Sequence, residues 1–115
     1  MKVYYDLQDA KRKVSADNPV EMSLEEARHV LNSLHGTGSF FGLEISTDNM
    51  LQFYSESGVI WTEVLDVSQL LAVGCEASLP IAELALEAAY EGKDIQKALS
   101  EAGFDWLDWR QEIIG

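Results

Sequence analysis

The stretch FFGLEISTDNMLQFYSESGVIWTEVLD, residues 40–66, alternates apolar and polar side chains in three runs separated by TDN and ESG. A period of two belongs to an extended strand, whose successive side chains leave on opposite faces. The stretch therefore predicts a three-stranded antiparallel meander with one face on a core and the other toward solvent. TDN reads as a three-residue hairpin loop with Asn49 in the left-handed position, which an asparagine side chain tolerates. That register pairs Ser46 with Met50, Glu44 with Gln52, Leu43 with Phe53 and Ile45 with Leu51. Around ESG, a two-residue or a four-residue turn pairs Ser55 with Ile60, Tyr54 with Trp61, Gln52 with Glu63 and Leu51 with Val64.

These pairs sort onto two faces. Phe41, Leu43, Ile45, Leu51, Phe53, Ile60 and Val64 share the core side, where Thr62 is the one polar member and its hydroxyl can be satisfied locally. The other side shows a row of Glu44, Gln52 and Glu63 beside a row of Gly42, Tyr54 and Trp61. An acidic face with an aromatic pair at its centre has the composition of a binding surface, in which aromatics supply contact area and charges supply steering. Two structural alternatives stay open: the aromatics cover strand backbone beside a glycine, or a C-terminal helix folds over this face.

Around the meander the chain reads as follows. KVYYDL sets Val3, Tyr5 and Leu7 against Tyr4 and Asp6 and predicts a short strand, while KRKVSADNP reads as a loop or frayed turn with a small basic cluster, Lys11, Arg12 and Lys13, solvated or self-paired. In MSLEEARHVLNSLHG, Ser23 and Glu26 form a capping box, Leu24, Ala27, Leu31 and Leu34 fall at helical spacing, and Gly36 supplies a stop. DVSQLLAVGCEASLP predicts a helix capped by Asp66 or Ser68 and broken at Pro80, which suits the first turn of the next helix. In PIAELALEAAYEG, Ile81, Leu84, Ala85, Ala88 and Ala89 form one stripe, and Glu83, Glu87 and Glu91 lie opposite at a spacing where like charges repel. That acid stripe suggests an external role unless Lys93 or Lys97 relieves it. Gly92 ends the helix, Asp94 caps a short one over IQKALSEAG, and Gly103 stops it. FDWLDWRQEII brings Phe104, Trp106, Leu107 and Trp109 together and reads as a docked terminus, with Trp109 a second anchor if it is exposed. With 115 residues, no repeat and no linker, the chain predicts one α+β domain over residues 1–115, its meander packed against N-terminal and C-terminal helices.

Charge narrows the function. There are 20 acids against 8 bases, and between Arg28 and Lys93 there is no base while nine acids occur. Such a field repels nucleic acid and anionic lipid and speeds encounter with a basic partner. No apolar run of about 18 residues exists to cross a membrane. MKVYYDLQDAKRK lacks the apolar stretch of a secretory signal, so a cytoplasmic protein is expected. One cysteine, Cys75, in small apolar surroundings reads as a packed thiol, and one Cys with two His builds no zinc site. His29 and His35 point in different directions around their helix. STDNMLQFYSE lacks the alternating oxygens of a calcium loop, and GTGSFFG enters a strand where a phosphate-binding glycine loop would enter a helix. No cofactor, no metal and no catalytic constellation is expected.

The helix, the meander and LPIAELALEAAYEGKDIQKALSEAGFDW together resemble the immunity proteins of bacterial polymorphic toxin and contact-dependent inhibition systems. In those proteins a meander is commonly followed by a helix, a glycine after its end and a closing tryptophan. The matching positions here are the helix over 82–90, Gly92 and Trp106, and the likeness spans residues 39–109, with KDIQKALSEAGFD longer than the pattern. The resemblance implies a cytoplasmic antidote that binds a cognate toxin, often a basic nuclease or other nucleic-acid-modifying enzyme, and blocks its active site or substrate groove. Glu44, Asp48, Gln52, Tyr54, Glu56, Trp61 and Glu63 are the expected partner-binding residues. An acidic nucleic-acid mimic that inhibits a DNA-binding protein, and an adaptor that self-assembles through its sheet edge, are the other classes compatible with this charge.

Overall fold

The computed structural model describes residues 1–8, 11–34, 38–103 and 110–113. Its elements run β1 (Lys2–Leu7), β2 (Arg12–Val14), β3 (Val20–Glu21), α1 (Leu24–Asn32), β4 (Phe40–Glu44), β5 (Asn49–Glu56), β6 (Val59–Asp66), β7 (Leu71–Ala77), α2 (Leu79–Tyr90), α3 (Ile95–Glu101) and β8 (Arg110–Ile113). The strands form one antiparallel sheet in the order β2-β1-β4-β5-β6-β7-β8, with β3 beside β2 on the same edge of β1. The expected α+β domain with a meander is thus observed, and the meander is part of a wider sheet.

Alternation decides which side chains reach the core. Tyr5, Phe41, Phe53, Thr62 and Cys75 stand in one row across five strands, and Val3, Leu43, Leu51, Val64 and Val73 in the next. Phe41, Leu43, Leu51, Phe53 and Thr62 are fully buried, and Phe41 stacks on Phe53 with ring centroids 6.1 Å apart. The Thr62 hydroxyl donates to the Ile60 carbonyl at 3.5 Å. Cys75 is buried, as a packed thiol should be.

All three helices pack on this inner side. Ala27, Val30 and Leu31 of α1, Ala82, Ala85, Leu86, Ala88 and Ala89 of α2, and Ile95 and Leu99 of α3 join the same core cluster as the strand residues. Ser23 caps α1 as expected, its Oγ accepting the Glu26 amide at 3.2 Å, while the Glu26 carboxylate accepts from the Ser23 hydroxyl at 3.1 Å and not from the backbone N–H of a full capping box. Asp94 caps α3 by accepting the Lys97 amide at 2.9 Å, and Gly92 and Gly103 follow α2 and α3 with φ of 71° and 88°. Pro80 sits in the first turn of α2. The buried stripe of α2 differs from the expected one: Ala82 and Leu86 face inward and Leu84 is exposed, because α2 is covered by α1 on one flank and α3 on the other as well as by the sheet.

Three expectations are corrected. First, residues 71–77 form a strand and not a helix. A short apolar run without polar punctuation fits either element by periodicity, and here β6 offers an open edge to pair with. The capping chemistry of Asp66 serves a hairpin turn, its carboxylate accepting the Ser68 hydroxyl at 2.6 Å and the Gln69 amide at 3.3 Å. Second, Arg12–Val14 is a strand within the expected loop. It pairs with β1, and the Arg12 guanidinium lies over the Tyr5 ring, 5.8 Å from its centroid.

Third, the β4–β5 register is shifted by two residues. Gly42 faces Gln52, Leu43 faces Leu51 and Glu44 faces Met50. Asn49 is not left-handed but is the first residue of β5; its carbonyl accepts the amides of Ile45 and Ser46, and its side-chain amide donates to Ser46 Oγ at 3.0 Å. These bonds close the turn without a positive φ. A shift of two leaves every side chain on its expected face. The β5–β6 register is as expected, and its turn is the two-residue one, with Ser57 and Gly58 at φ of 49° and 89°. His35, Gly36, Phe104, Trp106, Leu107 and Trp109 lie outside the described residues.

Candidate functional site

The candidate site is the sheet face opposite the helices. Its rows, read across the strands, are Lys13, Asp6, Phe40, Tyr54, Trp61 and Glu76; then Tyr4, Gly42, Gln52, Glu63, Gly74 and Arg110; then Glu44, Met50, Leu65, Ala72 and Glu112. Tyr54, Glu56 and Glu76 are exposed, and Phe40, Glu44, Gln52, Trp61 and Glu63 are half-buried. Glu44 was expected beside Gln52 and Glu63, and Gly42 beside Tyr54 and Trp61. The register shift moves Glu44 one row toward the β4–β5 turn and puts Phe40 next to Tyr54, their ring centroids 6.1 Å apart.

Two glycines let aromatic rings lie flat on the sheet. A side chain at Gly42 would overlap the Tyr4 ring, and a Cβ at Gly74 would stand 2.8 Å from Cζ2 of Trp61. Tyr4 is consequently buried, at 4 % exposure, although it sits on the outer face. Alanine at Gly42 is expected to lower folding stability by about 1–3 kcal/mol, because the ring is pinned by its neighbours. Chemical denaturation of Gly42→Ala, Tyr4→Ala and the double variant checks this: coupling between the two positions should return part of the loss.

A hydrogen-bond chain crosses the face. The Tyr54 hydroxyl donates to Gln52 Oε1 at 3.0 Å, Gln52 Nε2 donates to the Tyr4 hydroxyl, and that hydroxyl contacts Met50 Sδ at 3.6 Å. Burial pushes the Tyr54 phenol up from its ordinary pKa, and the negative charge of Glu63 adds to the shift. Tyr4 is raised mainly by burial too, with the Gln52 bond opposing and Glu44 and Glu63 adding. Both phenols are therefore protonated donors at neutral pH. The Trp61 indole N–H donates to Glu63 Oε2 at 3.0 Å, which sets the ring and the carboxylate side by side.

Of the expected binding residues, Gln52, Tyr54, Trp61 and Glu63 form one contiguous patch, with Glu44 on the same face one row away. Glu56 extends the patch at the Ser57–Gly58 end, opposite Val59. Asp48 does not join it: it lies exposed in the β4–β5 turn, about 25 Å from Glu56 at the rise of a strand. Sequence reasoning did not assign Tyr4, Phe40 and Glu76 to this face. The alternation of KVYYDL carried the signal for Tyr4, and Glu76 was hidden by the helical reading of its segment.

The acid stripe of α2 has internal partners. Arg28 of α1 pairs with Glu87 at 2.8 Å, the Asn32 side chain donates to Glu83 at 3.1 Å, and Lys93 pairs with Glu91 at 2.7 Å. These contacts relieve the like-charge repulsion, so the stripe needs no external partner. His29 is exposed on α1. Among the described residues no cluster of three or more His, Cys, Asp or Glu could hold a metal ion, and no helix is long and apolar enough to cross a membrane. No protein-family model, curated protein or solved structure matches the chain.

Proposed function

We propose that this chain is a cytoplasmic immunity protein, a binding and not a catalytic domain, which neutralises a cognate basic bacterial toxin by covering its active site or substrate groove. The observation that supports this reading most is the composition of the outer sheet face. Tyr54 and Trp61 stand side by side there with Phe40, with Glu56, Glu63 and Glu76 beside them and Glu44 two rows away, and the basic positions in the rows of Tyr54 and Gln52, Lys13 and Arg110, lie on the flanking strands β2 and β8. A rigid sheet holds those groups in place before any partner arrives, which lowers the ordering cost of binding. The carboxylates suit a toxin groove built for phosphates, and the aromatic rings supply the desolvated anchor.

The test is affinity capture of the tagged protein from its own cells at low and then moderate salt, followed by expression of the recovered partner alone and with this chain. A stoichiometric basic partner that kills alone and is harmless when co-expressed is the expected result. Recovery of a general DNA-binding factor, or of this chain alone, would replace the reading with the nucleic-acid mimic or the self-assembling adaptor.

Steering gives a second expectation. Glu44→Lys should slow association with the toxin about tenfold at low ionic strength and leave dissociation nearly unchanged, with the difference shrinking as salt is added. Glu63→Lys should do the same and also speed dissociation, since Glu63 holds the Trp61 indole. Stopped-flow or biosensor kinetics over a salt series reads both. A salt-independent association rate would remove steering from the mechanism.

A further inference from the structure

We propose that the β6–β7 hairpin tip, residues 67–70, is a second contact point for the same basic protein, with Val67 and Leu70 entering an apolar socket rimmed by Lys or Arg. The inference rests on the antidote reading and extends its surface along β6. Trp61, Glu63 and Leu65 alternate onto one face of β6, and Val67 follows the strand's last residue with its amide bonded to the Asp48 carbonyl, so the aromatic patch leads along β6 to the tip.

Exposure and backbone conformation both mark this tip. Val67 and Leu70 are 42 % and 52 % exposed, and Leu70 has the largest exposure among the exposed large hydrophobic side chains of the described residues. Leu70 has a φ of 55°, a conformation that glycine and asparagine adopt readily and a leucine resists. A strained position that exposes half of an apolar side chain gains little packing from its own fold, and such outliers concentrate at binding sites. The tip is also held in one shape. The Val67 amide donates to the Asp48 carbonyl at 2.8 Å, the Leu70 amide to the Val67 carbonyl at 3.3 Å, and Asp66 accepts from Ser68 and Gln69.

Charge selects the occupant. Glu44, Asp48 and Asp66 stand at this end of the sheet, with Lys2 of β1 beside the Glu44 position, and residues 29–92 contain no Lys or Arg. The surface that receives Val67 and Leu70 must therefore present cations around its apolar centre, and an anionic lipid surface would be repelled. Asp48, remote from the aromatic patch, acquires a place in the interface here.

The test places p-benzoylphenylalanine at position 70 of the full chain in its own cells, with position 96 on the exposed side of α3 as the control. After irradiation, position 70 should join to one basic protein, at an apolar side chain whose segment also carries Lys or Arg, and position 96 should not. An adduct with a second copy of this chain, an adduct with lipid, no adduct, or equal adducts from both positions would overturn the proposal. Leu70→Asn keeps a residue suited to the turn, so its thermal midpoint should be equal or higher while its affinity for the crosslinked protein falls at least tenfold. Unchanged affinity would overturn the tip contact, and if Trp61→Ala still abolishes protection, the antidote reading survives that failure. If the crosslinked basic protein is harmless when expressed alone, the antidote reading fails and the tip contact stands.

Discussion

Truncating Phe53 to alanine is expected to remove about 3–5 kcal/mol of folding stability, the largest effect of any single change considered for this chain. Phe53 is fully buried, stacks on Phe41, and belongs to the same core cluster as Leu86 and the other inward residues of α2. The sheet on one side and a helix on the other limit how far the site can collapse around the missing ring. Small domains are stable by only about 5–15 kcal/mol, so the variant should have a much lower urea midpoint with a similar slope. A loss of unfolding free energy below about 1 kcal/mol would mean that the inner face is not the core.

The adjacent residue should behave in the opposite way. Tyr54→Ala or Trp61→Ala is expected to weaken toxin binding by about 2 kcal/mol or more, roughly thirtyfold, with a small change in stability. Tyr54 is on the outer face at 37 % exposure, and its loss from the cross-strand pair with Trp61 removes about 0.2–1 kcal/mol from the fold. Trp61 also roofs the backbone at Gly74, so its truncation should lie at the upper end of that range. Calorimetric titration of each variant with the captured toxin, beside its denaturation curve, separates the two effects. Full affinity in a folded Trp61→Ala protein would exclude the aromatic pair as the anchor. Phe53 and Tyr54 are covalent neighbours, and only the pleat of the strand assigns one to stability and the other to recognition.

Much of this was legible in the sequence because it depends on local chemistry. The Ser23 cap, the Asp94 cap and the glycines after α2 and α3 act within one turn of chain, and each is found where the sequence puts it. The register of Tyr54 with Trp61 and Gln52 with Glu63 is likewise the one the ESG segment dictates, since a two-residue and a four-residue turn give the same pairs, and the structure has the two-residue turn at Ser57–Gly58. The β4–β5 turn was less determinate. Asn49 can serve a turn from the left-handed region or through its side-chain amide, and the two choices move the partners of Gln52 by two residues.

By itself, then, the sequence determined the period-two alternation, the caps of α1 and α3 and the sign of the charge, and the alternation sorts the aromatic and acidic side chains onto one face of a sheet. Only the tertiary structure decided that residues 71–77 are a strand, since an apolar run takes the hydrogen bonds its neighbour offers, and β6 offered an edge. It likewise placed Tyr4 beside Gln52 across 48 positions of chain and turned Glu83 and Glu87 toward α1. Long-range pairing reflects which edges and flanks meet after collapse, and no single residue carries that information.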